Sequence, residues 1–257
     1  MKDRREEWYD AGKKIAVTFV DVTSAAQALA RGHLCGPASA KCLAEALAAA
    51  ALLGAETSAP DETVSLQMKC SGPLGGYNVE CTADGALRGY TERKALDEFD
   101  GSDEIDMRRL VGQCRIQVTH SVPGKIVSQG ISNSVDGYLA GSLQRRSCIR
   151  LSVSVSRDVE VLEARGVLVE ALPDSSEAVT EYVPETLCDD PREVLISLGL
   201  AGAVFKRGIP LRFECRCSPE RAAKMVAAVA EPDGGEMPET VDVTCHMCGR
   251  TFTVKTR

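Results

Sequence analysis

The sequence predicts an α+β protein: a mostly antiparallel sheet domain with helices inserted early, then a helical linker, then a small C-terminal zinc-binding domain. Three observations carry this. Short stretches of apolar–polar alternation dominate the first two thirds of the chain. One Ala-rich region near the start has helical spacing instead. Four of the 11 cysteines sit as two close pairs near the end. A length of 257 residues suits one large unit and one small one, divided here as residues 1–172, 173–204 and 205–257.

Residues 14–20 alternate, with Ile15, Val17 and Phe19 on one face, which reads as a half-buried strand. From 23 to 33 the pattern turns helical. Gly36-Pro37 breaks it, and a second helix is predicted from 38 to 53, with Leu43, Leu47 and Ala50 at helical spacing and Gly54 as its stop. Val64, Leu66, Met68 and Cys70 alternate again. Gly72 to Gly76 is a turn, and residues 77–81 and 86–90 flank Ala83-Asp84-Gly85, a hairpin signature. After a polar stretch over 97–106, strands are predicted near 114–120 and 124–131, a short helix over 134–143, and strands at 149–155 and 160–172. Strand following strand implies antiparallel pairing.

From Pro173 the character changes to a polar linker. Asp190 then caps a helix with Pro191 at its first position. Val194, Leu195 and Leu198 form one stripe of it, and Ile196 and Leu200 lie largely off that stripe. A helix apolar on most sides must be covered on most sides, so something is expected to pack over residues 191–200.

Hydrophobic residues make up 44% of the chain and aromatic ones only 4%, so aliphatic side chains must fill the core. The net charge of -7 speaks against nucleic acid as a partner. No apolar run is expected to span a membrane: the longest, residues 44–54, is short and contains Glu45. The N-terminus mixes charges of both signs with no apolar segment behind them, unlike a signal peptide. A cytoplasmic location is expected. An odd number of cysteines without a secretion signal argues against a disulfide framework. The scattered ones, Cys35, Cys42, Cys70, Cys81, Cys114, Cys148 and Cys188, read as small buried hydrophobes.

The other four read as one metal site. Leu211 and Phe213 alternate into Cys215-Arg-Cys217, Ser218 caps a helix running through Met225 and Val229, and a polar loop over 231–240 leads to a strand. Cys245-His-Met-Cys248-Gly249 and a second strand follow. Zinc takes four thiolates tetrahedrally, and two residues between cysteines let one tight turn present both sulfurs. Gly249 can take the left-handed conformation that closes such a turn. Cys215, Cys217, Cys245 and Cys248 are therefore the expected ligands of one Zn²⁺ per chain. Arg212, Arg216, Arg250 and Lys255 are placed in sequence to offset the excess negative charge, and His246 reads as a solvent-facing spacer. A unit this poor in large apolar residues needs its metal to fold. Structural zinc contributes roughly 10–16 kcal/mol, against domain stabilities of about 5–15 kcal/mol. Thiolates are also what oxidants attack.

The Cys215-x-Cys217 and Cys245-x-x-Cys248 order, Phe213 ahead of the first pair, Ser218-Pro-Glu-Arg221 behind it and Gly249 after the last resemble the switch domain of the redox-regulated 33 kDa chaperonins, the heat shock protein 33 family. Gly72 to Gly76, Ala83-Asp-Gly85 and Arg88-Gly-Tyr90 resemble that family's sheet hairpin, and the helix from Gly36-Pro37 to Gly54 fits as well. The resemblance implies a redox-regulated, ATP-independent molecular chaperone, a holdase and not an enzyme. It implies a reduced, zinc-bound form that is silent. Oxidation would form Cys215–Cys217 and Cys245–Cys248 disulfides, release zinc, unfold the switch and loosen the linker, which exposes apolar surface to unfolding client proteins. A homodimer is implied for the oxidised form. The masked element would be the apolar helix, so Val194, Leu195, Ile196, Leu198 and Leu200 are the candidate client-binding residues.

Two other readings remain open on the residues. One is a zinc ribbon that stays closed and acts as a constitutive binding module. The other is a thiol-disulfide oxidoreductase using Cys245 and Cys248, disfavoured because that pair precedes a glycine and a strand where such chemistry needs a helix N-terminus. No nucleotide motif and no catalytic constellation is present. His33 and His120 are expected to have structural roles, with no obvious partners.

Overall fold

The computed structural model describes residues 3–102, 104–179, 182, 184, 187–233 and 238–256. In chain order its elements are β1 (Arg4–Asp10), β2 (Ile15–Asp21), α1 (Thr23–Gly32), α2 (Pro37–Leu53), β3 (Thr63–Cys70), β4 (Gly76–Thr82), β5 (Ala86–Thr91), α3 (Asp97–Asp100) and α4 (Met107–Val111). Then come β6 (Cys114–Val122), β7 (Lys125–Ser132), α5 (Val135–Gly141), β8 (Arg146–Val155), β9 (Val161–Ala171), α6 (Pro191–Ser197), β10 (Val204–Pro210), β11 (Arg212–Phe213), α7 (Pro219–Asp233), β12 (Thr240–Thr244) and β13 (Thr251–Lys255).

The expected α+β class holds. One sheet runs β10-β1-β2-β9-β8 and a second runs β11-β5-β4-β3-β6-β7. All pairings are antiparallel except β11 against β5. Helix α2 lies between the two sheets, touching β2, β8 and β9 on one side and β3, β4 and β5 on the other. Only Pro37, Lys41 and Glu45 of its residues escape burial. With the short 3-10 turn that follows, this helix reaches 20 residues and is apolar enough by composition to cross a membrane, which corrects the expectation that no such run exists. Its alanines explain the composition. A helix squeezed between sheets needs small side chains to let both approach, and 83% of its most apolar stretch is buried there.

Strand β2 corrects a second expectation. It is buried on both faces. Val20 turns toward α2, while Ile15, Val17 and Phe19 pack in a separate cluster with Trp8, Val167 and Val169. The linker covers that outer face: Tyr182, Leu187, Val194, Leu195, Leu198 and Leu200 complete the cluster.

Strands β1 and β10 are absent from the sequence expectation. β1 carries Arg4, Arg5, Glu6 and Glu7, and charge hides its pairing with β2 and β10 on both edges. β10 places residues 204–210 in the first sheet, where the reading of the sequence had the zinc unit begin. The physical reason is that β1 would otherwise present an open edge of unpaired amides. Trp8 meets Phe205 edge-on at 5.3 Å, and the Arg192 guanidinium lies 5.2 Å over the Trp8 ring.

His120 has a partner after all. Its Nδ1 lies 3.0 Å from Glu62 Oε1 in a buried pair, and Glu62 also accepts from the Ser58 and Ala59 amides at 2.8 and 3.2 Å. Burial works to raise the Glu62 carboxyl, but those amides and the imidazole outweigh it and hold it below the usual carboxylate range. A depressed carboxylate stabilises the fold above its unfolded pKa, and that stabilisation is lost as pH falls through the folded value. Glu62→Ala is expected to cost about 1–3 kcal/mol at pH 7 and much less at pH 3. Urea unfolding at the two pH values checks it; an equal cost at both contradicts the assignment.

Candidate metal centre

The first cysteine pair continues an edge strand. β11 aligns Arg212 and Phe213 with Ala86 and Leu87 of β5, and the Glu214 amide donates to the Leu87 carbonyl at 3.1 Å. This delivers Cys215 and Cys217 to the end of the second sheet. Ser218 then caps α7, its Oγ accepting from the Arg221 amide at 3.3 Å. The helix extends further than expected, to Asp233, into the predicted polar loop; residues 234–237 of that loop lie outside the described residues.

The second pair sits in the turn of the β12–β13 hairpin. The Cys245 amide donates to the Arg250 carbonyl at 2.8 Å, and the Cys248 and Gly249 amides both reach the Cys245 carbonyl, at 3.3 and 2.8 Å. Gly249 has φ +72°, the left-handed conformation this closure demands.

All four sulfurs lie within 4.8 Å of one another. Two close separations cross between the pairs: Cys217 to Cys248 is 3.5 Å and Cys215 to Cys245 is 3.8 Å. Electrostatics matches a shared site. Burial pushes the Cys217 and Cys248 thiols up; the other three sulfurs add to the rise at Cys248, while at Cys217 the Cys248 sulfur opposes it and Cys215 and Cys245 add to it. Cys215 is held below the usual thiol range: burial opposes this, but the Cys217 amide and the three other thiols donate to it. Bare, the cluster carries its charge unevenly, and a cation is what would let all four ionise. An open cavity of about 260 Å³, lined by Arg88, Cys215, Cys217, Arg221, Met225 and His246 among others, brings solvent to the sulfurs.

The model of the family described as Hsp33 protein matches residues 6–255. The chain belongs to the Hsp33 family. Proteins named 33 kDa chaperonin from Thermus thermophilus and Symbiobacterium thermophilum are 28% and 27% identical to it, covering 94% of this chain in both cases and 81% and 90% of their own lengths. The crystal structure of a 33 kDa chaperonin from Thermotoga maritima superposes with a TM-score of 0.83 over 99% of this chain and 95% of that one, at 18% identity, which shows a shared fold.

In this Hsp33-family chain the four-cysteine cluster does not hang free. The Gly249 and Gly32 backbones approach so closely that a Cβ at Gly249 would lie 2.0 Å from the Gly32 carbonyl oxygen, and one at Gly32 would lie 2.7 Å from that of Cys248. The Gly89 amide donates to the Met247 carbonyl at 3.1 Å. His33, at the end of α1, is within hydrogen-bond distance of the Gly89 carbonyl, 2.9 Å away, so it too has a partner. Burial holds its imidazole below the usual histidine range. His246 is exposed as expected, its ring edge-on to Tyr90 at 5.8 Å. Cys248 itself belongs to the main core.

The expected charge balance needs correction. Arg212 pairs with Asp84 and Glu214. A cation that does face the sulfurs is Arg88 on β5, half-buried, which bonds Glu80 at 2.6 Å and interacts with Cys215; burial alone would lower its pKa, but these partners raise it. Arg88 was visible only as part of the Arg88-Gly-Tyr90 motif, with nothing in the spacing to bring it to a cysteine 127 positions later.

The linker helix is sharper than expected. Asp190 Oδ1 accepts from the Arg192 amide at 2.8 Å, and the helix closes with the Leu200 amide on Leu195 and the Gly199 amide on Ile196. Val194, Leu195, Leu198 and Leu200 are buried against the first sheet, but Ile196 is 62% exposed. The helix is therefore covered on one side, because Ile196 is the residue its apolar stripe leaves out.

Gly249→Ala is expected to weaken metal retention. Adopting the left-handed conformation costs a residue with a Cβ roughly 1–2 kcal/mol, and the contact with Gly32 adds to it. Competition against a graded chelator checks this; an unchanged release midpoint contradicts the docking.

Proposed function

We propose that this chain is a redox-regulated, ATP-independent holdase whose four C-terminal thiols act as its sensor. The observation that carries it is the sulfur cluster closing a unit with little core of its own, joined by β11 and β10 to the linker helix over the first sheet. Tetrahedral zinc with metal–sulfur bonds of about 2.3 Å sets sulfurs about 3.8 Å apart, which the 3.5 and 3.8 Å separations fit. Zinc, when bound, would hold the thiolates ionised and stabilise the fold of the unit.

The rest follows from this chain's own residues. Oxidation of Cys215 with Cys217, and of Cys245 with Cys248, passes two electrons per pair to a peroxide or hypochlorous acid and removes all four ligands. The hairpin then loses its closing turn and its hold on Gly32 and Gly89. β10, at the edge of the first sheet, loses its C-terminal anchor, and the linker between residues 173 and 204 is left with Tyr182, Leu187, Val194, Leu195, Leu198 and Leu200 as its apolar attachment. Their release, with Ile196 already outward, supplies the apolar surface for unfolding client proteins, and the same surface serves a homodimer. The chain binds clients without a catalysed step, in the reducing cytoplasm where the silent form is kept.

The test is to oxidise the zinc-loaded protein with peroxide at elevated temperature, following zinc release beside suppression of a client's thermal aggregation. The two are expected to rise together. Zinc that survives oxidation would favour a closed ribbon acting as a binding module, and zinc loss without suppression would sink the proposal.

A further inference from the structure

Seven cysteines lie outside the metal centre. Cys35, Cys42 and Cys81 are buried, as the sequence suggests, but Cys70, Cys114, Cys148 and Cys188 are only partly so. Two of these face each other. Cys70 ends β3 and Cys114 opens β6, and the antiparallel register sets them directly opposite. Among the described residues, no other register position in the two sheets pairs a cysteine with a cysteine.

The hydrogen bonds fix which kind of pair this is. The next position along, Ser71 opposite Gln113, exchanges the bonds: the Ser71 amide donates to the Gln113 carbonyl at 2.9 Å, and the Gln113 amide to Ser71 Oγ at 3.0 Å. The Cys70 amide points the other way, to the Gly75 carbonyl at 3.2 Å. Cys70 and Cys114 therefore occupy a non-hydrogen-bonded pair, where Cα atoms stand about 4.5 Å apart and side chains on one face come closest. That falls inside the range of about 4.4–6.8 Å that a disulfide spans. The amides of Gly72 and Gly75 also face the Cys70 sulfur, countering part of the rise that burial imposes on its thiol. Cys114 Sγ donates to the Asn133 carbonyl at 3.2 Å at the protein surface, within reach of small oxidants.

We propose that Cys70 and Cys114 form a second redox site, a disulfide that staples the neighbouring strands β3 and β6 of the larger sheet under oxidising conditions. One thiolate attacks hydrogen peroxide, its O–O bond breaks, and the leaving hydroxide takes up the proton the thiol gave, so a sulfenic acid and water result. The other thiolate attacks that sulfur, the S–O bond breaks, and a second water leaves. Two thiols and one peroxide thus yield one disulfide and two waters, with two electrons passed to the peroxide. Because the two strands are already paired, the bond forms without rearranging the fold. It would hold the sheet together in the same conditions that open the C-terminal unit. It does not depend on the sensor reading above.

The experiment uses the full, metal-loaded chain. After peroxide treatment, free thiols are blocked with an alkylating agent under denaturing conditions and the chain is cleaved with trypsin without reduction. Cleavage after Lys69, Arg88, Arg109 and Arg115 places Cys70 in residues 70–88 and Cys114 in residues 110–115. These two peptides are expected as one cross-linked species that a reductant splits, persisting in Cys81→Ser and absent in Cys70→Ser and Cys114→Ser. The core of oxidised wild type should also melt about 5 °C or more above that of the oxidised Cys114→Ser variant. Absence of the linked peptide in wild type whose four C-terminal cysteines are fully oxidised overturns the proposal. So does a link to Cys114 that survives in Cys70→Ser, since Cys81 would then be the partner. Equal melting of the two oxidised proteins removes the stapling role.

Discussion

Stripping the metal from the four thiols is expected to unfold residues 211–256 while the two-sheet core stays folded. The unit's own apolar cluster is small: Ala222, Val226 and Val254 are buried, with Val241, Val243 and Phe252 only partly so. Three buried small side chains are too few to order the unit by themselves. Metal binding, worth roughly 10–16 kcal/mol in comparable sites, is the missing contribution. Thermal unfolding followed by circular dichroism should show part of the helical and strand signal lost before heating once a strong chelator is added, and the remaining transition should be that of the core. Cys248→Ser should behave alike without chelator. Acid acts in the same direction. Cys217 and Cys248 are pushed up in the bare cluster, so binding expels protons and affinity must fall as pH falls. An unchanged signal after complete metal removal would contradict this account of the fold.

Leu195→Asp is expected to make the reduced, metal-bound protein behave as if oxidised. Leu195 is 4% exposed, against the face formed by Trp8, Val17, Phe19 and Val169. Losing a buried leucine costs about 2–5 kcal/mol, and an unpaired carboxylate there must either undock or stay protonated. The helix is only seven residues long and Leu195 sits among its buried side chains, so a charge there should drive it off the sheet. Light scattering of a heat-aggregating client should show suppression without any oxidant, and an apolar-surface dye should bind more strongly. Ile196→Asp is the control. At 62% exposure it touches little and should leave the reduced protein silent. Equal behaviour of the two variants would contradict the masking.

Much of this was legible from the residues. The cysteine spacing pointed to the four-sulfur cluster that the structure brings together, because ligand geometry is local: two short turns carry it, and Gly249 marks one of them. The central strands and α2 followed from periodicity. What escaped had non-local causes. β1 reads as a run of charge, and only the two strands on its flanks turn Arg4 to Asp10 into an interior strand. β10 completes the first sheet beside β1, and nothing in Val204 to Pro210 says which sheet edge it joins. β2 was read as half-buried because the linker that covers its outer face lies some 170 residues downstream. Arg88 and Gly32 meet the sulfur site only through packing of α1 and β5 against the second knuckle. The helix at 191–197 was found, and the direction Ile196 faces depended on which side of it the sheet lies.

The central claim is that the metal state at the C-terminus decides whether the linker helix is docked. Amide hydrogen exchange at residues 191–200, measured on the metal-loaded chain and again after chelation and oxidation, tests it most directly. The account predicts slow exchange at Val194, Leu195 and Leu198 in the first state and exchange at nearly the unfolded rate in the second, with the core strands β2 and β9 protected in both. Protection of the linker helix that persists after the C-terminal unit has unfolded would contradict it.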